Sequence, residues 1–175
     1  MYENDFCEYV VEKKKEGGYL GKIIAVTVLL LALIIISITV LVPKFGIVGM
    51  LAFIAAAVLA WYLYRYLNIE CEYSQSGAFI DFAYVYSKQY RKDKLSLDIK
   101  KSVCKVAPFE EGFASFNVAS VLDMRSSSKS ASAYMIIYEI DDKKHAVLFD
   151  ATKRLVDNLF HQIPSLVVRT DNLPE

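Results

Sequence analysis

Residues Ile23–Val42 read IIAVTVLLLALIIISITVLV and residues Phe45–Tyr64 read FGIVGMLAFIAAAVLAWYLY. From Ile23 to Tyr64 the only charged residue is Lys44, in the short break Pro43-Lys44-Phe45-Gly46. A hydrocarbon core about 30 Å thick is crossed by about 20 helical residues, so each run is long enough to span it. Pro43 and Gly46 predict a stop of the first helix and a reversal of the chain. The reading is a transmembrane α-helical hairpin over 23–67, with helices at 23–42 and 45–66. A headpiece over 1–22 precedes it, and a tethered domain over 68–168 with a loose tail over 169–175 follows.

Composition narrows the function. From Asn68 onward there are 14 Lys and Arg against 15 Asp and Glu, so the domain lacks the positive field that nucleic acid demands. Cys7, Cys71 and Cys104 are odd in number and far apart, which favours free thiols over a zinc site or a disulfide framework. The first apolar run is longer than a secretory h-region and has no small-x-small cleavage pattern. No phosphate loop, nucleophile elbow, zincin motif or dinucleotide fingerprint occurs. Cys104, His145 and His161 are the residues a thiol-based chemistry would have to bring together, but Cys104 lies among apolar neighbours and reads as a structural thiol. The expectation is a non-enzymatic protein without cofactor or metal.

Lysines set the expected orientation. Lys13, Lys14, Lys15 and Lys22 precede the first run, whereas the loop between the runs holds only Lys44. By the positive-inside rule both termini are cytoplasmic, in a two-span protein of the cell membrane. Lys22, Trp61, Tyr62, Tyr64, Arg65 and Tyr66 form the expected interfacial collar. Gly49, Ala52, Ala56 and Ala60 make a small-residue face for close helix packing, either inside the hairpin against Ala25, Ala32 or Thr39, or between copies of the chain. Neither run contains an ionisable residue at depth, which argues against transport or proton relay.

Outside the hairpin the pattern changes. Tyr2, Phe6, Tyr9 and Val10 recur near helical spacing, so the headpiece reads as a short amphipathic helix or as a weakly ordered terminus. From Ile69 apolar and polar residues alternate, predicting strands at 69–74, 78–87, 95–99, 103–107 and 116–124. Ser126–Ser132 reads as a mobile loop. Tyr134–Ile140 and His145–Phe149 flank the turn Asp141–Lys144 as a hairpin. Asp150 or Thr152 caps a helix over about 153–163, with Leu155, Val156, Leu159, Phe160 and Ile163 as its buried stripe.

The segment Lys94–Val106 resembles the paired middle strands of bacterial pleckstrin-homology-like (PH-like) domains. The run Ile136–Phe149, followed by Asp150-Ala151-Thr152 and a helix, is similar to the way such domains end. The lysine-rich headpiece, the hairpin and Val106-Ala107-Pro108 together resemble a family of small bacterial two-span proteins of unassigned function. The resemblance implies a PH-like antiparallel β-barrel or sandwich of about seven strands capped by one C-terminal helix. It also implies peptide binding by strand addition beside that helix, or acidic-lipid binding near the first hairpin loops.

Lys88, Arg91, Lys92, Lys94, Lys100 and Lys101 are the candidate anionic-lipid contacts, with Tyr84, Tyr86 and Tyr90 interleaved. Their alternation also fits an ordinary solvated face. The expected partners are the bilayer and a protein captured by a membrane-anchored scaffold, with lipid sensing as the alternative.

Overall fold

The computed structural model describes residues 6–14, 17–65, 67–109, 117–170 and 173–174. It divides into two compact units, Lys14–Ile69 on one hand and Met1–Lys13 with Glu70–Glu175 on the other. The domain is therefore not C-terminal. Both ends of the chain build it, and the apolar hairpin is an insertion within it.

In the inserted unit, helix α1 (Gly17–Ile36) passes through a π-helical turn (Ser37–Leu41) into α2 (Val42–Phe45), and α3 (Ile47–Arg65) returns. The expected stop at Pro43 does not occur. Pro43 lies in the first turn of α2, and the wide turn ahead of it lets the Val42 N–H reach the Ser37 carbonyl. A π-bulge of this kind absorbs the register that a proline, lacking an N–H, disturbs in a helix. The reversal falls on Gly46 at φ 53°, a left-handed conformation that glycine adopts without a side-chain clash. Two helices result, Leu20–Phe45 and Ile47–Tyr64, each long and apolar enough to cross a membrane.

Gly49 is buried and Ala52, Phe53, Ala56 and Ala60 are half-buried on α3, while Val48, Met50, Leu51 and Ile54 are exposed. A Cβ at Gly49 would run into the Leu41 backbone, within 2.6 Å of the Val42 nitrogen, so the small residue permits backbone contact inside the hairpin. The inward residues of the first helix include Leu30 and Ser37, whereas Ala25, Ala32 and Thr39 are exposed. Thr27 Oγ1 and the Tyr64 hydroxyl, 2.7 Å apart, tie the open ends together.

The other unit holds eight strands among its described residues: β1 (Phe6–Glu12), β2 (Ile69–Ser76), β3 (Phe79–Tyr86), β4 (Tyr90–Asp98), β5 (Val103–Pro108), β6 (Ser120–Asp123), β7 (Ala133–Ile140) and β8 (Lys143–Asp150). They form two four-stranded sheets, ordered β1-β2-β3-β4 and β5-β7-β8-β6. The headpiece is thus a strand, neither an amphipathic helix nor a loose end over 6–12. Cys7, Tyr9 and Val11 turn inward at period two, and Phe6, Glu8, Val10 and Glu12 turn outward. Pairing with β2 in the register Tyr9↔Tyr73 and Val11↔Cys71 satisfies both backbones and buries three side chains, which a surface helix could not do.

Turn chemistry follows the sequence closely. Asp141 and Asp142 take φ 51° and 59° in a two-residue connection, the geometry whose twist matches that of paired strands. One pairing differs from expectation: β6 runs parallel to β8. Inside, Tyr73 meets Phe82 and Phe149 at ring separations of 5.8 and 5.7 Å. Helix α4 (Lys153–Gln162) buries Leu155, Val156 and Leu159, and Thr152 caps it by accepting from Leu155 N–H.

Two segments read as mobile are held. Ser126 and Ser127 are buried, and Ser126 N–H donates to Asp150 Oδ2 at 2.7 Å. In the tail over 169–175, Arg169 Nη1 lies 3.1 Å from Asp157 Oδ1 and the Pro174 carbonyl accepts from Lys153 N–H at 2.8 Å. Just ahead of it Val167 packs into the core and bridges Val106 of β5. Of the expected loop and strand between β5 and β6, residues 110–116 lie outside the described residues.

Because β1 completes the sheet, replacing residues 14–68 by a short Gly/Ser linker should give a soluble domain with one cooperative urea transition. A piece beginning at Asn68 should lack that transition when followed by circular dichroism. In the linked domain, Thr152→Ala should lower the unfolding free energy by about 1 kcal/mol through loss of the cap.

Candidate functional site

The register Glu12↔Glu70 marks the end of the first sheet from which the chain departs for the hairpin and to which it returns. The β3–β4 turn belongs to this same end. Tyr86 pairs with Tyr90 across it, Ser87 and Lys88 take φ 48° and 57°, and Lys88 Nζ lies 3.7 Å from Glu70 Oε1.

A bulge governs what this end presents. Phe82 pairs with Leu95 but Ala83 pairs with Asp93, leaving Lys94 as the extra residue. With that shift Tyr84 and Tyr86, on the face that carries Ile80 and Phe82, lie opposite Lys92 and Tyr90. Tyr84 and Tyr86 stand edge to face at 6.4 Å, and Tyr86 and Tyr90 lie tilted at 6.3 Å. Lys13 and Lys94 both place their ammonium over the Tyr84 ring, at 5.8 and 5.3 Å, within reach of its quadrupole. The Tyr84 hydroxyl donates to the Asp123 carbonyl at 3.1 Å, and burial pushes its pKa up.

The candidate cations do not form one patch. Lys88, Lys92 and Lys94 belong to the tether end with Lys13. Arg91 is engaged by Glu72 at 2.8 Å and Asp93 at 2.9 Å. Lys100 and Lys101 occupy the turn beyond the far end of β4, roughly 25 Å away at about 3.3 Å per residue. There Lys101 pairs with Asp98 at 3.5 Å. On the helices Lys22, Trp61, Tyr62 and Tyr64 are exposed; the Arg65 side chain and Tyr66 lie outside the described residues. Lys13 is the member that sequence reasoning missed. Its signal was the period-two series Cys7, Tyr9, Val11, Lys13, obscured by the helical spacing of the same aromatics.

The edge beside α4 is occupied. Val106 N–H donates to the Leu166 carbonyl at 2.8 Å and Val168 N–H to the Val106 carbonyl at 2.9 Å. The chain's own C-terminal segment thus takes the place where an added strand would pair. Cys104 and the two histidines have separate partners. Cys104 Sγ lies 3.9 Å from Glu139 Oε2, His145 Nδ1 meets Ser120 Oγ at 2.7 Å, and His161 Nδ1 lies 2.6 Å from the Asp157 carbonyl. Among the described residues no cluster of His, Cys, Asp and Glu could hold a metal ion.

Two four-stranded sheets closed by one helix after the last strand, with an apolar helical hairpin between the first two strands, define a PH-like domain carrying two candidate membrane helices. The chain belongs to the family described as Bacterial PH-like domain (DUF6106), whose model matches residues 3–169. That match takes in β1, the hairpin and the post-helix segment as one unit. No curated protein and no solved structure matches the chain.

Thiol chemistry gives a direct check on this packing. Burial raises the Cys71 pKa to about 12, opposed weakly by Lys13, and burial also raises those of Cys7 and Cys104. At pH 8 an alkylating reagent should label half-buried Cys104 first, and Cys7 and Cys71 only after denaturant is added. A raised thiol pKa stabilises the fold fully below the unfolded value near 9 and loses that contribution as pH rises towards 12. Urea titrations should therefore show stability falling above pH 9, less steeply in Cys71→Ala.

Proposed function

We propose that this chain is a membrane-anchored, non-enzymatic PH-like module that reads the anionic surface of its own bilayer through the tether-end cluster. The observation that carries this reading is the pair Lys13 and Lys94 over Tyr84, at the end of the sheet where β1 ends and β2 begins. Tyrosine with an apolar ring and a polar tip suits the headgroup region. No carboxylate contact is found for Lys13, Lys92 or Lys94 among the described residues. Each Lys close to an anionic surface contributes about 1 kcal/mol.

Membrane insertion of the two helices as a hairpin accords with the sheet. β1 precedes them and β2 follows, and the two strands pair, so both must lie in one compartment. The lysines before the first helix support the cytoplasmic side. A scaffold that captures a protein by strand addition beside α4 has less support, because Leu166–Val168 already pairs with that edge.

The linked domain, once shown to unfold cooperatively, should co-sediment with vesicles containing anionic lipid and not with neutral ones. Changing Lys13, Lys92 and Lys94 together to Gln should weaken that binding roughly a hundredfold, and added salt should weaken it further. Equal binding to both vesicle types, or none to either, would sink the lipid reading.

A further inference from the structure

A cavity of about 660 Å³ opens between the end of β5 and the serine-rich connection from β6 to β7, with Phe109, Arg125, Ser128, Lys129, Tyr134 and Thr170 in its lining. Arg125 is its central feature. The side chain is only 9% exposed, although arginine is seldom buried without a purpose for its charge. Its guanidinium lies 4.6 Å from the Phe109 ring. Asp123 holds one edge of the fork, accepting from Nε at 3.0 Å and from Nη2 at 2.7 Å. Nη1 makes one long contact, 3.5 Å to the Ser128 carbonyl.

A guanidinium carries five N–H donors, and these contacts use three. Two remain without a protein acceptor among the described residues, on a group that lines this cavity. The Lys129 ammonium and the Ser128 hydroxyl add donors and engage no partner among the described residues. Tyr134 and Thr170, hydroxyl to hydroxyl at 2.9 Å, also line the cavity, and the Tyr134 hydroxyl donates to the Val168 carbonyl at 3.2 Å. Among the described residues no carboxylate lines the cavity. Among the described residues the lining therefore offers free donors from two cations and the Ser128 hydroxyl, with Asp123 clamping the arginine from outside.

We propose that this cavity binds a phosphomonoester. A tetrahedral dianion takes more donors than a planar carboxylate, and at neutral pH it carries nearly two charges for Arg125 and Lys129 to meet. The volume admits a phosphoryl group with a small polar body attached. The site is separate from the tether-end cluster, and its residues include none of Lys13, Lys92 or Lys94. The phosphomonoester's source, a soluble compound or a lipid headgroup such as phosphatidic acid, is decided by experiment.

The test uses the full chain in nanodiscs of neutral lipid. Inorganic phosphate and glycerol phosphate are titrated by calorimetry, and a parallel set of nanodiscs carries phosphatidic acid, with engagement followed by a fluorophore near Lys129. Saturable binding of the soluble probes is expected, weakened roughly tenfold or more by Arg125→Gln and several-fold by Lys129→Gln, as loss of a charge-assisted donor implies. Lys129 is exposed, so its variant should keep the parent thermal transition if Arg125→Gln does not. Engagement only of phosphatidic acid nanodiscs, lost in the same two variants, supports the lipid source. No binding in either arm overturns the proposal, as does binding indifferent to both variants. Engagement abolished only by Lys92→Gln with Lys94→Gln also overturns it and assigns the effect to the tether-end cluster.

Discussion

The pairing of Phe6–Glu12 with Glu70–Ser76 is the constraint on which the remainder of this structure depends. It closes a loop over residues 13–69, far longer than a hairpin turn. For a flexible chain that length costs about 2–3 kcal/mol more than a short turn. The apolar hairpin offsets much of this cost, because Gly46 reverses the chain and Gly49 lets the two helices touch. In return, β1 covers Cys71, Tyr73 and Gln75, all fully buried. Without β1 the aromatic centre of the domain would stand open on one side.

That centre also joins the two sheets by polar contacts. The Tyr73 hydroxyl on β2 donates to the Met124 carbonyl at 2.7 Å and lies 3.4 Å from Asp150 N–H on β8. Asp150 in turn accepts from Ser126 N–H, which is why the serine-rich connection is ordered. Burial raises the Tyr73 pKa, so the hydroxyl remains a donor across the physiological range. Asp123 behaves differently. Burial alone would raise its carboxyl, but Arg125 holds it below the ordinary value through hydrogen bonds and charge. Asp123 thus serves both places, its carboxylate holding Arg125 and its backbone carbonyl accepting from the Tyr84 hydroxyl.

Weak contacts suit a tethered domain. A single Lys at a membrane surface contributes about 1 kcal/mol, too little to recruit a free protein. In the proposed function two helices hold the domain at the bilayer, so the effective concentration would be high and the same contacts would set orientation rather than recruitment. The split of the cations follows this logic. Lys100 and Lys101 at the far end of β4 are ordinary solvated turn residues, and Arg91 is occupied by two carboxylates.

Hydropathy alone determined the two apolar helices, because spanning length and lack of charge are local properties of consecutive residues. The β7–β8 hairpin, the Thr152 cap and the stripe of α4 were legible for the same reason, since each depends on neighbours within four residues. Strand β1, the parallel placement of β6 and the docking of Val167 on β5 were not. Their partners lie dozens of residues away, and a seven-residue alternation such as Phe6–Glu12 fits two periods until a partner strand selects one. The tether-end cluster was half legible: Lys92 and Lys94 stood out by composition. The tertiary structure alone decided that Lys13 joins them and that Lys100 and Lys101 do not, because a single bulge and one non-local pairing set which side chains share a face.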